Sequence, residues 1–435
     1  MSAIKQKFSE IALPYASEIK KLMKANKEKP IDSVNIDQVY GGMRDVISIV
    51  TETSQLDTKD GIFFRGYSIK QLYENLPNNP YGSKEPLPEM MLGLLLLGRI
   101  PTEQEIAEIT LELQQRAKLP IYVKSIIDNL PKNTHPMVKL TTAFSALNAE
   151  SKFNQKYYNG GIPKDKLWEE VYEDALDVIA ITPLVAAYIY NGKDIKPDNS
   201  LDWAGNLAHM LGDKDNSKNS LMKEYLRLHL SIHSDHEGGN ASAYTCHVVG
   251  STLASPYGAY AGAMHSLAGP LHGLASETAL KWIENLIKKF GKAPSKKEIE
   301  EFINDSIANG KVVPGYGHAV LRITDPRFTA QMEFAKSHGM NNDILNTVWN
   351  VYETAPTILG HFAKIKNPYP NVDAHSGAVL KSLGFEDPSF YTVLFATSRS
   401  IGIMSQLIWD RVFGKPITRP KSVTSEWIKT NIINK

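Results

Sequence analysis

The sequence predicts a mainly α-helical protein, for three reasons. Capping boxes at Thr102–Glu105 and Ser295–Glu298 each open a run of apolar residues at helical spacing. Strands and helices do not alternate along the chain, and no repeat of fixed period is visible. The chain also lacks a glycine-rich loop of the dinucleotide or P-loop type. The sequence therefore lacks the motifs that usually indicate a nucleotide-dependent enzyme.

The first predicted element is a short N-terminal β-hairpin. Residues 46–51 are rich in β-branched side chains, and they are expected to pair with residues 62–65 across a turn at 57–61. All later elements are predicted as helices. The clearest lie after Thr102 up to Pro120, over Ala279–Phe290 up to Gly291, and after Ser295 up to Asn309-Gly310.

The length of 435 residues exceeds what one hydrophobic core usually serves, so two domains are expected. Residues that break secondary structure cluster at Gly269-Pro270 and at 384–388. We interpret them as borders of an inserted segment. The predicted large domain spans residues 1–273 and 385–435, and the smaller inserted helical domain spans 274–384. A site in the cleft between them is the default expectation.

Composition excludes several classes of function. The chain has 48 basic and 47 acidic residues and a net charge of +1, so it shows no electrostatic signal for nucleic acid or an anionic membrane. Its single cysteine, Cys246, excludes an intramolecular disulfide and a cysteine-based zinc cluster, and suits a reducing compartment. The longest apolar run, Met90–Leu97, is too short for a membrane helix.

The amino terminus resembles neither a secretory signal nor an Arg-rich transit peptide. The chain is therefore expected either not to be targeted in those ways or to be shown in its processed form.

Three turns in the second half each set one titratable side chain among glycines, prolines and small residues. They carry His272 in Gly-Pro-Leu-His-Gly, His318 in Pro-Gly-Tyr-Gly-His, and Asp373 in Asn-Val-Asp-Ala-His. Glycine and proline let the backbone bend sharply and approach a ligand closely. Two imidazoles and one carboxylate are thus expected to surround one substrate.

This set of groups suits a Claisen or aldol-type condensation. A carboxylate alone is too weak a base for the carbon acid beside a thioester, so Asp373 needs a donor on the carbonyl oxygen. His272 precedes a predicted helix near Ser276, whose positive end favours the neutral, donating imidazole. His318 remains to polarise a second carbonyl. An anionic electrophile also needs cations, and Arg327, Arg399 and Arg419 offer planar forks for a dicarboxylate.

Around these residues the chain closely resembles the citrate synthase family in its eukaryotic form. The matching stretches are Tyr40-Gly-Gly-Met-Arg44, Phe64-Arg-Gly-Tyr-Ser-Ile69, Ser234-Asp-His-Glu-Gly-Gly-Asn240, Leu267-Ala-Gly-Pro-Leu-His-Gly-Leu274, the segment 312–322, the segment 371–377, and Gln406-Leu-Ile-Trp409 leading to residues 419–422. They span nearly the whole chain in order, so a chance match is implausible.

The resemblance implies a two-domain, all-α protomer that forms an obligate homodimer and uses oxaloacetate and acetyl-CoA as substrates, with no cofactor and no metal. It implies that Asp373 removes the methyl proton, His272 stabilises the enol, and His318 polarises the oxaloacetate carbonyl. Oxaloacetate would be held by His236, Arg327 and Arg399 of one subunit and Arg419 of the other. Hydrolysis of the citryl thioester would follow.

The CoA site is also implied by the resemblance alone. The loop Val312, Val313, Gly315, Tyr316 and Gly317 would bind the adenine through backbone groups. Arg44, Lys164, Arg322 and Lys366 would lie near the phosphates. The mitochondrial matrix is the implied compartment, with the cytoplasm and the peroxisome left open.

Some residues depart from the family pattern. They are Ser276-Glu277 in place of Asn-Gln, Met264-His265-Ser266 in place of an Asn-Gly pair, Ala241 and Tyr244 in place of Val and His, and Lys164 in place of Arg. These changes leave the chemistry intact but bear on acyl-chain preference and CoA affinity. A 2-methylcitrate synthase that accepts propionyl-CoA is the nearest alternative.

Each assignment has a plainer rival. Asp373 alone suits a helix cap, isolated histidines are more often structural, and isolated arginines are most often solvated. His229, His233 and His236 share helical spacing beside Glu237, which resembles zinc ligation but lacks the His-Glu-x-x-His order. A further alternative is a filament-forming structural protein of the same fold, because fold and site do not exclude added surfaces.

Overall fold

The computed structural model describes residues 2–213 and 220–434, and over these residues the protein is mainly helical. The predicted fold class is confirmed. In the first half the helices are α1 (Ala3–Asn26), α2 (Ile36–Tyr40), α3 (Ile69–Glu74), α4 (Pro88–Leu97), α5 (Glu103–Arg116), α6 (Ile121–Asn129), α7 (Pro136–Leu147), α8 (Lys152–Gly160), α9 (Leu167–Asn191) and α10 (Trp203–Leu211).

In the second half the helices are α11 (Leu221–Ile232), α12 (Ala241–Ser251), α13 (Pro256–Leu267), α14 (Ala275–Phe290), α15 (Lys296–Ala308), α16 (Pro326–Ser337), α17 (Asp343–Gly360), α18 (Asp373–Ser382), α19 (Tyr391–Phe413) and α20 (Ser425–Ile428). Short 3₁₀ turns occur at Asn148–Glu150, Lys164–Lys166 and Pro388–Phe390, and a π-turn at Lys429–Ile433. No helix within the described ranges has both the length and the apolar character needed to cross a membrane.

The predicted capping boxes are present. Thr102 and Ser295 each accept a hydrogen bond from the backbone N–H three residues on, and Glu105 and Glu298 bond back to the two capping residues. These reciprocal bonds satisfy donors that a helix start otherwise leaves open. Helix α14 ends at Gly291, whose backbone is left-handed, as its sequence predicts.

The small sheet differs from the prediction in its first strand. Strands β1 (Ser54–Asp57), β2 (Gly61–Phe64) and β3 (Tyr67–Ser68) form one antiparallel sheet in that order, with Ser54 opposite Phe64. Residues 46–51 form no strand. The turn at 58–60 is short, so β2 pairs with residues 54–57, which immediately precede the turn. The prediction that 46–51 is the first strand is therefore wrong.

The main core is built around two long helices. Helices α9 and α19 pack on each other, and α19 also contacts α1, α4, α11, α12 and α13. Almost every residue of α19 from Tyr391 to Val412 is buried. Such a helix is apolar or internally paired all round because it has no solvent face. The polar groups on α19, including Arg399, are therefore held inside the protein.

A second set of helices packs mainly within itself. Helix α14 contacts α17 and α18, α15 contacts α17, and α16 and α17 both contact α18. This set joins the rest of the molecule through α16 with α3 and α11 and through α14 with α19. We propose that it forms the smaller domain, residues 274–384, inserted in a large domain of residues 1–273 and 385–435.

Candidate active site

A cleft of about 1270 Å³ brings together side chains that lie far apart in the sequence. Its lining includes all three residues predicted to be catalytic, His272, His318 and Asp373. It also includes three of the four predicted to hold an anion: His236, Arg327 and Arg399. Helices α12, α16, α18 and α19 contribute to its walls, together with the non-helical residues 42–49.

His272 lies in the turn between α13 and α14. The turn is tight: the backbone N–H of Gly273 donates to the carbonyl of Leu267, and a Cβ at Gly273 would lie 2.4 Å from that oxygen. Only glycine fits there. The ring Nε2 of His272 faces Ser242, 3.3 Å from its backbone N–H donor and 2.9 Å from its hydroxyl.

The contact with Ser242 fixes the tautomer of His272. A backbone N–H can only donate, so Nε2 is an acceptor and the neutral ring carries its hydrogen at Nδ1. Burial lowers the pKa of His272 to about 4, and the charge of Arg399 acts in the same direction. At neutral pH the ring is therefore uncharged, and its Nδ1–H is available to a ligand oxygen.

His318 has the opposite tautomer for the same kind of reason. The backbone N–H groups of Val320 and Leu321 each donate to its Nδ1 at 3.0 Å. The hydrogen of the neutral ring therefore lies on Nε2. Burial lowers the pKa of His318 to about 4, helped by Arg327 and opposed by Asp325. Two uncharged imidazoles thus offer one N–H donor each.

His236 is a third buried imidazole at the cleft. Its ring centroid lies 5.9 Å from that of His318. Its Nε2 is shielded from solvent and has no hydrogen-bond partner among the residues that the structure describes. Burial lowers the pKa of His236, and the charges of Arg327 and Arg399 add to that effect. A buried polar atom without a partner is costly, which favours a role in ligand binding.

Asp373 is the first residue of α18. Its backbone N–H donates to Asn371 Oδ1 at 3.0 Å, while its own side chain makes no capping bond. Burial raises the pKa of Asp373 to about 6; Arg327 and Arg399 oppose the rise, and Asp325 adds to it. The carboxylate is therefore a stronger proton acceptor than an ordinary aspartate. The plainer interpretation of Asp373 as a helix cap does not match this geometry.

Backbone contacts hold the His318 loop against the start of α18. The N–H of Asn371 donates to the carbonyl of Gly315 at 2.8 Å, and its side-chain amide donates to the carbonyl of Gly317 at 3.0 Å. Gly315 has a φ of +78°, and a Cβ there would lie 2.8 Å from the Cα of Ala374. The loop and the helix meet backbone to backbone, which fixes His318 relative to Asp373.

Two buried arginines form the charged floor of the cleft. Asp325 holds Arg327 through Nε at 3.0 Å and Nη2 at 2.6 Å. Arg399 donates from Nε to the carbonyl of His233 at 3.1 Å and stacks over Phe395. Burial lowers the pKa of Arg399 to about 10, so it stays charged at neutral pH. Fixed guanidinium groups of this kind bind carboxylates with both strength and orientation.

The other predicted site residues do not all reach this cleft. Arg419 is exposed in the segment after α19 and does not line the cleft, and Lys164, in the 3₁₀ turn Lys164–Lys166, does not line it either. The residues of the predicted CoA set that do line its mouth are Arg44, Gly317, Arg322 and Lys366. Those outside its walls are Val312, Val313, Gly315 and Tyr316. Their assignments stay predictions.

Sequence reasoning missed several residues that build the site. Asp325 orients Arg327, Ser242 fixes the tautomer of His272, and Asn371 joins the loop to α18. An Asn two residues before Asp373 is typical of an Asx turn, and this spacing is the signal that could have identified Asn371. Leu271 and Phe395 also line the cleft, and no sequence pattern indicated that they do.

The zinc-like spacing of His229, His233 and His236 corresponds to a different arrangement. The rings of His229 and His233 lie 4.2 Å apart, and His233 Nδ1 bonds to the carbonyl of His229 at 2.8 Å. Across residues 2–213 and 220–434, no group of three or more His, Cys, Asp or Glu side chains is placed to hold a metal ion.

A family model described as citrate synthase, C-terminal domain, matches residues 42–421. The chain belongs to the citrate synthase family. Citrate synthase 4, mitochondrial, of Arabidopsis thaliana is 45% identical over 433 residues, which are 98% of this chain and 90% of the relative. A 2-methylcitrate synthase, mitochondrial, of Yarrowia lipolytica is 46% identical over 429 residues, 97% of this chain and 91% of the relative.

A solved structure is similar along nearly its whole length. It is the ternary complex of carboxymethyl coenzyme A and oxaloacetate with the citrate synthase of Thermoplasma acidophilum. The TM-score is 0.73 at 25% sequence identity, with 90% of this chain and 96% of that chain covered. The resemblance to citrate synthases that the sequence motifs indicated is thereby confirmed.

Proposed function

We propose that this protein is a citrate synthase, which condenses acetyl-CoA with oxaloacetate and releases citrate and CoA. The observation that carries the proposal is the combination in one cleft of a proton acceptor, Asp373, with two neutral imidazole donors, His272 and His318, above two fixed arginines. The reaction needs no resident cofactor, because acetyl-CoA is a substrate.

Enolisation is the first step. Asp373 takes a proton from the methyl carbon of acetyl-CoA, and electron density moves onto the thioester oxygen. The Nδ1–H of His272 donates to that oxygen and stabilises the enol. A placed base and a preorganised donor typically contribute about 10²–10⁴ and about 10²–10³ in rate, respectively. Neither group alone makes a thioester α-carbon reactive enough.

Carbon–carbon bond formation follows. The methyl carbon attacks the ketone carbon of oxaloacetate, and the ketone oxygen becomes the hydroxyl oxygen of the product. The Nε2–H of His318 donates to that oxygen as negative charge develops on it. Arg327, Arg399 and the unpartnered Nε2 of His236 bind the oxaloacetate carboxylates and orient the ketone.

Hydrolysis completes the reaction. A water molecule adds its oxygen to the thioester carbonyl, the carbon–sulfur bond breaks, and a proton passes to the CoA sulfur. The free thiol is therefore a direct measure of turnover. Neutral imidazoles suit this stage as well, because they donate without adding a charge to the site.

We further propose that the protein acts as a homodimer with shared sites. Arg419 is exposed and absent from the cleft of its own chain, which supports a role in the cleft of the partner. The CoA phosphates are assigned to Arg44, Arg322 and Lys366 at the mouth, and to Lys164. The adenine is assigned to the 312–317 loop. The mitochondrial names of the Arabidopsis and Yarrowia relatives support the mitochondrial matrix as the compartment.

The test is release of CoA thiol at fixed oxaloacetate, with acetyl-CoA and propionyl-CoA compared and an oxaloacetate-free control. We expect release that needs oxaloacetate and favours acetyl-CoA. Comparable use of propionyl-CoA would instead support a 2-methylcitrate synthase, which the Yarrowia relative keeps as the second candidate. Folded protein that releases no thiol with either thioester would refute the proposal.

A further inference from the structure

The segment that follows α19, residues 415–424, is tethered by a chain of side-chain hydrogen bonds. His247 on α12 connects Asp410 on α19 with Thr418 in this segment. The distance from His247 Nδ1 to Asp410 Oδ2 is 2.5 Å, and from His247 Nε2 to Thr418 Oγ1 it is 2.9 Å. The backbone N–H of Thr418 also donates to Ser251 Oγ at 3.0 Å. Thr418 is thus held through both its backbone and its side chain.

The donor and the acceptor of each hydrogen bond in this series can be assigned, starting from Asp410. A carboxylate only accepts, so Asp410 fixes the hydrogen of His247 at Nδ1. Nε2 is then the acceptor for the Thr418 hydroxyl. Asp410 is buried, and its second oxygen accepts from Lys415 Nζ at 2.6 Å. Lys415 also donates to the carbonyl of Val50 at 2.6 Å. Both ends of the tether are therefore fixed to the body of the protein.

Thr418, the residue that these hydrogen bonds hold, immediately precedes Arg419. Arg419 is exposed and lies outside the cleft of its own chain. The helices that supply the tether also build that chain's own cleft. Helix α12 carries Ser242, which orients His272, and α19 carries Arg399. Asp410 lies about 16 Å beyond Arg399 along α19 at the usual helical rise.

We infer that Asp410, His247 and Thr418 form a positioning clamp that sets Arg419 for oxaloacetate binding in the partner subunit. The inference rests on the proposed function, in which Arg419 serves the partner's cleft. Arg419 itself touches the substrate, while the three clamp residues act through it. A long cation in an exposed segment has many rotamers, and fixing the preceding residue reduces the ordering that binding must supply.

The first experiment replaces the Thr418 hydroxyl. Thr418→Val keeps the shape but deletes the hydrogen bond to His247, and we expect the KM for oxaloacetate to rise about fivefold, the usual weight of one hydrogen bond. The KM for acetyl-CoA and the unfolding temperature should change little. Thr418→Ser, which restores the hydroxyl, should restore the KM. Thr252→Val is the matched control, because among the residues that the structure describes its hydroxyl bonds only to the carbonyl of Val249.

The second experiment uses mixed dimers with one working site. One subunit carries Arg419→Ala and keeps Asp373, so it supplies the cleft. The other carries Asp373→Asn and keeps Arg419, so it supplies the arginine. Thr418→Val is then added to either subunit. On the subunit that supplies the arginine it should raise the KM for oxaloacetate about fivefold, and on the other it should leave the KM at the value of the parent mixed dimer.

The outcomes separate this inference from the proposed function. A parent mixed dimer without activity would refute the role of Arg419 across subunits. An active parent dimer in which Thr418→Val has equal effects from both subunits, or no effect from either, would overturn the clamp alone. Loss of folding would lower the unfolding temperature in both placements, whereas a positioning role changes the KM in only one.

Discussion

The floor and the mouth of the cleft hold their charged side chains in different ways. On the floor, Arg327 is fixed by Asp325 and Arg399 by the carbonyl of His233, and both arginines are buried. At the mouth, Arg44 and Lys366 are exposed. Buried, oriented charges bind strongly and with direction, whereas exposed charges are screened by water and salt. Under the proposed function, the floor binds one small dianion, and the mouth binds a large ligand through many weak contacts.

The largest expected effect comes from replacing Asp373, the proposed general base. Asp373→Asn keeps the shape of the side chain but removes the proton acceptor, so kcat should fall about 10³-fold, within the usual range for a general base. Measured binding of CoA should change little. Asp343→Asn is the matched control, because Asp343 is likewise the first residue of its helix but is exposed. A kcat that stays within tenfold of the parent would refute the role of Asp373.

The same variant tests the energetic cost of the buried carboxylate. Because burial raises the pKa of Asp373 to about 6, its ionisation destabilises the folded state at pH values above 6. Asp373→Asn should therefore unfold at a higher temperature than the parent at pH 8. The difference should shrink as the pH falls towards 4, where the parent carboxyl is protonated in the folded state.

The next largest effect is expected on the floor itself. Arg399→Lys keeps the charge but loses the planar fork, so the KM for oxaloacetate should rise about 10²-fold, the usual consequence of breaking a buried charged contact. The KM for acetyl-CoA should change much less. Arg411→Lys on the same helix is the matched control, since Arg411 is also buried but does not line the cleft. Equal rises in both KM values would contradict the division into floor and mouth.

The pH dependence of activity should reveal the ionisation of Asp373 in the unsubstituted protein. Below about pH 6 the protonated fraction of Asp373 grows, so kcat/KM for acetyl-CoA should fall about tenfold per pH unit. His272 and His318 have pKa values lowered to about 4, so they stay neutral over most of this range. Activity regained on return to pH 8 would exclude irreversible unfolding as the cause, and an unchanged circular dichroism spectrum at the low pH would exclude reversible unfolding. An inflection above pH 7 would contradict the assignment.

The smallest effects are expected at the mouth. Arg44→Gln and Lys366→Gln should each raise the KM for acetyl-CoA about two- to fivefold, in line with the weight of exposed ion pairs, and should leave the KM for oxaloacetate unchanged. The effect should fade at high salt. Lys297→Gln, an exposed lysine on α15, is the control. A mouth variant that changes the oxaloacetate KM as strongly as Arg399→Lys would remove the contrast.

The sequence predicted the three catalytic candidates better than the residues at the mouth, for a physical reason. His272, His318 and Asp373 lie in turns that need glycine or proline, and such needs are visible in a single sequence. Arg44 and Lys366 are exposed charges among many others. Their place at the cleft depends on how distant segments pack, which no local pattern records.

Residues 46–51 show the same limit for secondary structure. Their β-branched side chains predicted a strand, and the partner strand β2 exists, but residues 54–57 occupy the position beside it. Val46, Ile49 and Thr51 instead line the cleft. The tautomers of His272 and His318 were likewise invisible in the sequence, because they depend on backbone N–H groups that only the folded chain brings within reach.

The contact between Gly315 and Ala374 limits how this enzyme can be redesigned. The His318 loop and the Asp373 helix meet there without an intervening side chain, so no exchange of side chains can widen the gap between these two groups. Room for a longer acyl chain has to come from other side chains of the lining, such as Leu271 and Tyr244. Libraries that aim at new thioester substrates are best confined to such positions.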